Sequence, residues 1–394
     1  MKVVVIGGDG YCGWATSLYL SMRGHDVTIV DSLVRREWDR EHGLDSLVPI
    51  ASTRRRIDEW SRLTGRTIAF EETDVTDYTA LCRVVRYAKP AAVVHFGQQR
   101  SAPFSMIDRE HAVRTHLNNT VGNLNVLWAL HDNAPDAHLV KLGTMGEYGT
   151  PNIDVEEGFI TIEHNGRSDR LPYPKQPGSF YHLTKVSDSD QIYFACRVWG
   201  MRATDLNQGI VYGTTTEQTE MSPALANRYD YDHIFGTVLN RFCVQAALGH
   251  PLTVYGSGGQ QRSFLDIRDT VRCIDIALEH PARKGEYRVF NQFTETFAVD
   301  ELAERVARVG RERGLACEVA HVANPRVERE AHYYNCVNSN LRALGLEPTP
   351  LADETIAGLI ALAREHAERV DLRLIPPRVE WSPAQAREGA PAVA

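Results

Sequence analysis

A chain of 394 residues, 43% hydrophobic and 24% charged, has the balance of a globular protein and exceeds one ordinary domain. Its formal net charge of -8 argues against broad nucleic-acid binding, so an anionic ligand would need local arginines and backbone N–H groups. Seven cysteines (Cys12, Cys82, Cys196, Cys243, Cys273, Cys317, Cys336) show neither C-x-x-C nor His-rich spacing, which predicts no metal site, no disulfide framework and a reducing compartment.

Lys2-Val3-Val4-Val5-Ile6 is a β-branched run that meets Gly7-Gly8-Asp9-Gly10-Tyr11-Cys12-Gly13 and then a helical stretch over 14–22. Gly7 permits a tight turn, Gly10 lets backbone N–H groups approach a pyrophosphate, and Gly13 allows close packing of helix on sheet, with Tyr11 and Cys12 inside the same turn. With a strand expected from residue 2 and no apolar run of about 18 residues, neither signal peptide nor membrane span is expected, and the protein is read as cytoplasmic. The next strand ends in Asp31, where a carboxylate accepts both ribose hydroxyls of NAD and repels a 2′-phosphate. Arg35 and Arg36 are placed to embrace such a phosphate, but the strand-end carboxylate decides for NAD. Residues 35–66 exceed a usual connection and predict a helical insertion near the cofactor. Asp74-Val75 fits the adenine-contacting position; a plain helix cap is its simpler reading. Strands at 67–70, 91–95 and 138–142 complete an α/β, doubly wound parallel Rossmann sheet over 1–206.

Lys141 to Gly149 and the helix expected over 179–199 carry the chemistry. Tyr181 and Lys185 are four residues apart and share a helix face, so an ammonium can lower the phenol's pKa for proton abstraction while Thr144 hydrogen-bonds the same hydroxyl. Both residues also border the cofactor. Between Thr144 and Tyr181, Phe159-Ile160-Thr161-Ile162 before Asn165-Gly166 predicts a β-hairpin within 150–178, either a lid over the site or a surface excursion. From Asn207 to about residue 380 a smaller α/β substrate-binding domain is expected, with strands at 251–255 and 286–290 and some chain returning to the first lobe. Asn207, Gln208, Arg262 and Arg326 are candidates for a nucleotide diphosphate between the lobes. Long helices at 112–130 and 179–199 suggest a homodimer, and residues 385–394 read as a disordered tail.

Together these elements resemble the extended short-chain dehydrogenase/reductases that act on nucleotide sugars. Longer strings, at 7–15, 99–103, 105–109, 141–154, 173–176, 205–213, 242–246, 249–256 and 324–328, are similar to the branch of that family that joins sulfite to UDP-glucose. The likeness implies UDP-glucose and sulfite as substrates, with NAD regenerated in each turnover and sulfite arriving free or from a partner protein. It also exposes two departures. Dehydratases of this family carry an Asp-Glu pair after the catalytic Thr, where this chain has Met145 and Gly146; His182 and Glu147 are the expected replacements. Family members read Glu where this chain has Gln98, beside Arg100, the residue expected to hold the sulfite anion through paired hydrogen bonds. The remaining readings are a UDP-sugar epimerase or dehydratase that does not use sulfite, and a non-catalytic NAD sensor; an intact Thr144, Tyr181 and Lys185 speaks against the sensor.

Overall fold

The computed structural model describes residues 1–381, so the expected disordered end at 385–394 lies outside the described residues. Seven parallel strands form the main sheet. In chain order they are β1 (Lys2–Ile6), β2 (Asp26–Asp31), β3 (Ile68–Glu72), β4 (Ala92–His95), β5 (His138–Thr144), and the strands Arg202–Gln208 and Tyr287–Gln292. In space the order is Tyr287–Gln292, Arg202–Gln208, β5, β4, β1, β2, β3, so strand order reverses between β1 and β4. Ligands of such sheets sit at that reversal, beyond the carboxyl ends of the strands. The central strands β1 and β4 are almost continuously apolar because helices cover both faces, whereas β3 and the strand Arg202–Gln208 carry polar and charged residues. Alternation along β1 sends Val3 and Val5 to a core with Trp14, Leu18 and Ile274, and Val4 and Ile6 to one with Val85, Leu127 and Ile192.

The expected insertion after β2 is two helices, Val34–His42 and Thr53–Thr64. The expected strand at 286–290 is displaced from its predicted lobe. It is the edge strand Tyr287–Gln292 of the main sheet, with Tyr287 opposite Ala203. The helix Ile267–Glu279 likewise packs against the first helix, Tyr11–Met22. Sequence pattern identified a buried strand but carried no information about its partner. The smaller lobe holds the helices Val238–Ala247, Val299–Arg311 and Asp353–Glu365 around its own apolar core, with a three-stranded sheet and the parallel pair Leu252–Tyr255 and Val319–Val322.

The hairpin is present, Phe159–His164 against Arg167–Pro172, with Asn165 and Gly166 at φ 50° and 71°, the left-handed pair a two-residue turn requires. It is not a lid in this structure. Phe159 packs on Tyr193 and Tyr287 at the sheet's edge, and none of the hairpin's strand residues lines the cleft. No helix among the described residues is long and apolar enough to cross a membrane.

Candidate active site

The cofactor cradle forms where β1 and β4 diverge. Gly7 has φ 82°, and a Cβ there would lie 2.6 Å from the Gly97 nitrogen; one on Gly13 would lie 2.1 Å from the Gly7 carbonyl oxygen. Only glycine fits either position. Gly10 caps the helix Tyr11–Met22 without a side-chain hydrogen bond, leaving first-turn N–H groups free for a phosphate. Asp31 accepts from the Asp9 and Leu33 backbone nitrogens at 2.9 and 2.8 Å, and burial, then the charge of Asp9, pushes its carboxyl up to about 6. The arginines nearby are committed elsewhere. Arg36 pairs with Asp9 at 2.7 Å, while Arg35 bonds Asp39 and lies 3.6 Å from the Phe235 ring centroid. Neither guanidinium remains for a 2′-phosphate, and the residues fit NAD. At the adenine end the reading shifts by one residue. Thr73 and Val75 line the pocket, whereas Asp74 accepts from the Thr76 nitrogen at 2.7 Å in the turn that follows β3.

Tyr11, Cys12, Arg100, Tyr181 and Gln208 line both the cofactor pocket and a second, wider cleft between the lobes. Burial pushes the Cys12 thiol up to about 12, so it stays protonated beside Gln208. Thr144 ends β5 facing the cleft and its hydroxyl accepts from the Gly146 nitrogen at 3.1 Å. Tyr181 stands on the helix Phe180–Trp199, which Ser179 caps. Contrary to expectation, removal from water outweighs the nearby cations and holds its phenol above the ordinary value. The Lys185 ammonium is engaged elsewhere: it donates to the Leu142 carbonyl and to Gln98, and lies 3.9 Å from Asp188. Gln98 therefore belongs to the lysine side of the cofactor pocket and not to the substrate cleft.

His182 lines the cleft with Met145, its Nδ1 3.0 Å from the Ser179 hydroxyl. Burial, then Arg326 and Arg262, lowers its pKa to about 3, so the ring is neutral. A Cβ on Gly146 would lie 2.3 Å from His182 Nε2. The imidazole thus occupies the space that a side chain at 146 would fill. Glu147 does not reach the cleft. It is fully buried, 3.2 Å from Lys141 Nζ and 2.7 Å from Lys175 Nζ, and those lysines hold its carboxyl below the ordinary range against the pull of burial. The expected proton-transfer role for Glu147 is corrected accordingly. Asn207 is corrected too: buried, it donates to the Tyr148 hydroxyl at 2.8 Å, and its neighbour Gln208 faces the cleft instead.

At the far end of the cleft Arg262 bonds Glu328, and Arg326 lies 5.4 Å from the Trp381 ring. Arg241, Tyr255 and Trp381 join them, residues that sequence reasoning missed. Arg241 looked like one more polar residue on an amphipathic helix, and only the packing of Tyr255 at 4.4 Å reveals its place. Arg56 was missed for the same reason; it is buried 3.8 Å from the Trp14 ring and bonds Asp9 at 3.1 Å behind the glycine turn. Arg100 is 38% exposed, with one edge on Asp230 at 2.7 Å and another on the Phe235 carbonyl at 3.2 Å. Among the described residues, Glu41, His42 and His111 gather potential metal ligands within 4.8 Å. Glu41 is engaged by Arg114 and the two rings bond each other at 3.3 Å, an arrangement that clips helices together.

A doubly wound sheet with a glycine cradle, a strand-end carboxylate and Thr144, Tyr181 and Lys185 at its rim defines an NAD-dependent enzyme of the short-chain dehydrogenase type. The family model for the NAD dependent epimerase/dehydratase family matches residues 3–291, and the chain belongs to that family, with NAD as its cofactor. It is 58% identical over 380 residues to the UDP-sulfoquinovose synthase, chloroplastic, of Spinacia oleracea, covering 96% of this chain and 79% of that protein. It is 42% identical to the UDP-sulfoquinovose synthase of Sulfolobus acidocaldarius, covering 98% of each. In fold it is similar to a UDP-glucose-4-epimerase from Stenotrophomonas maltophila with bound NAD and formylated UDP-arabinopyranose, at a TM-score of 0.72 and 19% identity, covering 94% of this chain and 100% of that one.

The buried lysine beneath the site yields a test. Lys141→Met keeps the apolar stem but removes the charge that separates Glu147 from Asp205, and should cost about 3–5 kcal/mol in urea unfolding. A cost under about 1 kcal/mol would show that the two carboxylates need no lysine between them.

Proposed function

We propose that this chain converts UDP-glucose and sulfite to UDP-sulfoquinovose. The observation that carries the reading is that the cofactor pocket and the arginine-lined cleft meet at Tyr181, with a neutral His182 where a dehydratase would present a side chain from position 146. The names of the two relatives support it. Bound in its cradle, NAD supplies the acceptor, and later the donor, of the C4 hydride. As a phenolate, which the Lys185 ammonium and a bound nicotinamide cation would have to favour against burial, Tyr181 takes the C4 hydroxyl proton, with Thr144 hydrogen-bonded to the same oxygen. The resulting 4-ketone acidifies C5–H. His182 takes that proton and gives it to the departing C6 hydroxyl, so that water leaves and a 4-keto-5,6-ene forms. The sulfur of bisulfite then bonds to C6 while the bisulfite proton passes through His182 to C5, and the C4 carbonyl becomes a hydroxyl again by the reverse of the first step. Arg241, Arg262 and Arg326 receive the diphosphate at the far end of the cleft. Arg100 presents its exposed edge to sulfite beside Tyr181, and Asp230 and Phe235 fix that guanidinium in place.

The working unit is read as a cytoplasmic homodimer. Leu117, Val121, Leu124 and Trp128 on one helical run, and Phe180, Leu183, Phe194 and Val198 on another, are spaced to form apolar stripes, and Leu117, Phe194 and Val198 are 53%, 59% and 58% exposed. Sedimentation at micromolar concentration should give twice the chain mass; a single-chain mass would remove this reading.

Tyr181→Phe should lower C4 oxidation by about 10²- to 10⁴-fold while UDP-glucose binding stays within a few-fold, measured by NADH absorbance and calorimetry. More than a tenth of the activity remaining would show another base. Mass spectrometry of the product formed with and without sulfite tests the whole proposal, which fails if no sulfonated sugar nucleotide forms. Arg100→Ala should weaken apparent sulfite affinity by about ten- to 150-fold, the loss of one charge-assisted partner, while exchange of the C5 proton with deuterium persists. Loss of UDP-glucose binding with unchanged sulfite dependence would place Arg100 at the nucleotide instead.

A further inference from the structure

Three side chains meet away from the cleft, and the reaction uses none of them. Glu41 and His42 end the helix Val34–His42, which supplies Val34, Arg35 and Trp38 to the cofactor pocket. His111 stands on the helix Arg109–His116, 69 positions beyond His42, so no local sequence pattern links the two. One ligand atom from each of the three lies within 4.8 Å of the other two. The two imidazoles meet at an angle that suits an ion better than a hydrogen bond. Their Nε2 atoms are 3.3 Å apart and their ring centres 5.2 Å apart. Zinc–nitrogen bonds of about 2.0–2.1 Å at the tetrahedral angle set two nitrogens about 3.3 Å apart, and ring centres about 1.1 Å further out then lie about 5.2 Å apart. Rings joined head-on through a hydrogen bond of that length would have centres about 5.5 Å apart.

The surrounding groups prepare both rings as ligands. Asp108 Oδ1 lies 2.7 Å from His111 Nδ1; with the proton held there, His111 Nε2 keeps its lone pair towards His42, as carboxylates behind metal-bound imidazoles arrange. Burial, then His111, lowers the His42 pKa, and a neutral ring with its proton on Nδ1 offers Nε2 as well. Arg114 donates to both Glu41 oxygens at 2.9 and 2.8 Å and is also held by Glu110, so one Glu41 oxygen can turn to an ion while the other keeps the guanidinium. Phe104 closes the inner side, its ring centre 5.6 Å from that of His42 and 4.8 Å from that of His111, and Glu41 is open to water on the outer side. We propose that His42, His111 and Glu41 bind one divalent transition-metal ion of the zinc class, with water as fourth ligand, as a structural clasp between the insertion after β2 and the helix Arg109–His116. Two imidazoles with a single carboxylate select such an ion over magnesium or calcium, which take oxygen ligands. The ion touches neither cofactor nor sugar nucleotide; it pins the helix that presents Arg35 and Trp38 to the cofactor pocket.

The NAD-loaded protein, dialysed against EDTA, should take up one equivalent of Zn²⁺ in calorimetry and unfold at a higher temperature with zinc than without it. H42Q/H111Q should lose that equivalent and the thermal shift together. Asp108→Asn keeps the cap on the His111 nitrogen but removes the charge behind the ring, and should bind zinc about ten- to a hundredfold more weakly. Zinc bound as tightly by H42Q/H111Q is held elsewhere and overturns the proposal. A wild type that binds no zinc, a thermal midpoint that zinc leaves unchanged, and an undiminished affinity in D108N each overturn it too. If the double variant does not fold, H42Q, altered only at the more exposed ring, gives the same reading: lost affinity upholds the clasp and retained affinity overturns it. None of these measurements needs turnover, so the clasp stands or falls independently of the proposed reaction.

Discussion

A lysine with no exposed surface holds this active site together. Lys141 lies on β5, three residues before Thr144, and its ammonium reaches Glu147, Asp205, Ser189 and the Lys185 carbonyl at 3.0 to 3.3 Å. Those partners come from the turn after β5, the adjacent strand and the catalytic helix. One charge thus ties together the elements that carry Thr144, Tyr181 and Lys185. Ion pairs this deep contribute little net stability, because desolvation offsets the attraction, but they fix geometry: any shift of one element strands a charge in a low-dielectric interior. The consequence for function is a rim whose three polar groups keep a set spacing without a ligand to organise them.

The second constraint is steric. Gly7, Gly13 and Gly97 bring the turn after β1, the helix N-terminus and the end of β4 within contact distances that no side chain would allow. This closeness leaves room for a dinucleotide along the carboxyl ends of the strands, in a pocket lined by both Asp31 and Tyr181. Asp9 supports the turn from behind through Arg36, Thr53 and Arg56, which explains why the insertion after β2 is helical: it delivers cations and a hydroxyl to a buried carboxylate.

Charge is distributed unevenly around the cleft. An acidic chain would repel an anionic sugar nucleotide at long range, yet Arg241, Arg262 and Arg326 line its far end and Arg100 its near end. Near the chemistry the balance is different. His182 is neutral, the Cys12 thiol stays protonated, and the cations beneath Tyr181 are matched by carboxylates. The cleft therefore carries positive charge at both ends and neutral groups at its centre.

The sequence by itself determined the parts whose signal is local. A β-branched run meeting spaced glycines, a carboxylate at the end of the next strand, Asn165-Gly166 between alternating residues, and Tyr181 with Lys185 on one helical face each follow from neighbours in the chain, and each is found where the chain pattern places it. Tertiary structure decided everything that depends on which way a side chain turns. Glu147 and Asn207 are one to three residues from residues that line the cleft but point into the core, since their partners, Lys175 and Tyr148, come from other segments. Gln98 turned from substrate contact to lysine partner because Asp188 lies 90 positions away in the chain. The edge strand Tyr287–Gln292 joined the first lobe, where it pairs in parallel with Arg202–Gln208. Local pattern encodes which surfaces must be buried or bonded; the identity of the partner is a long-range property, set when the whole chain packs.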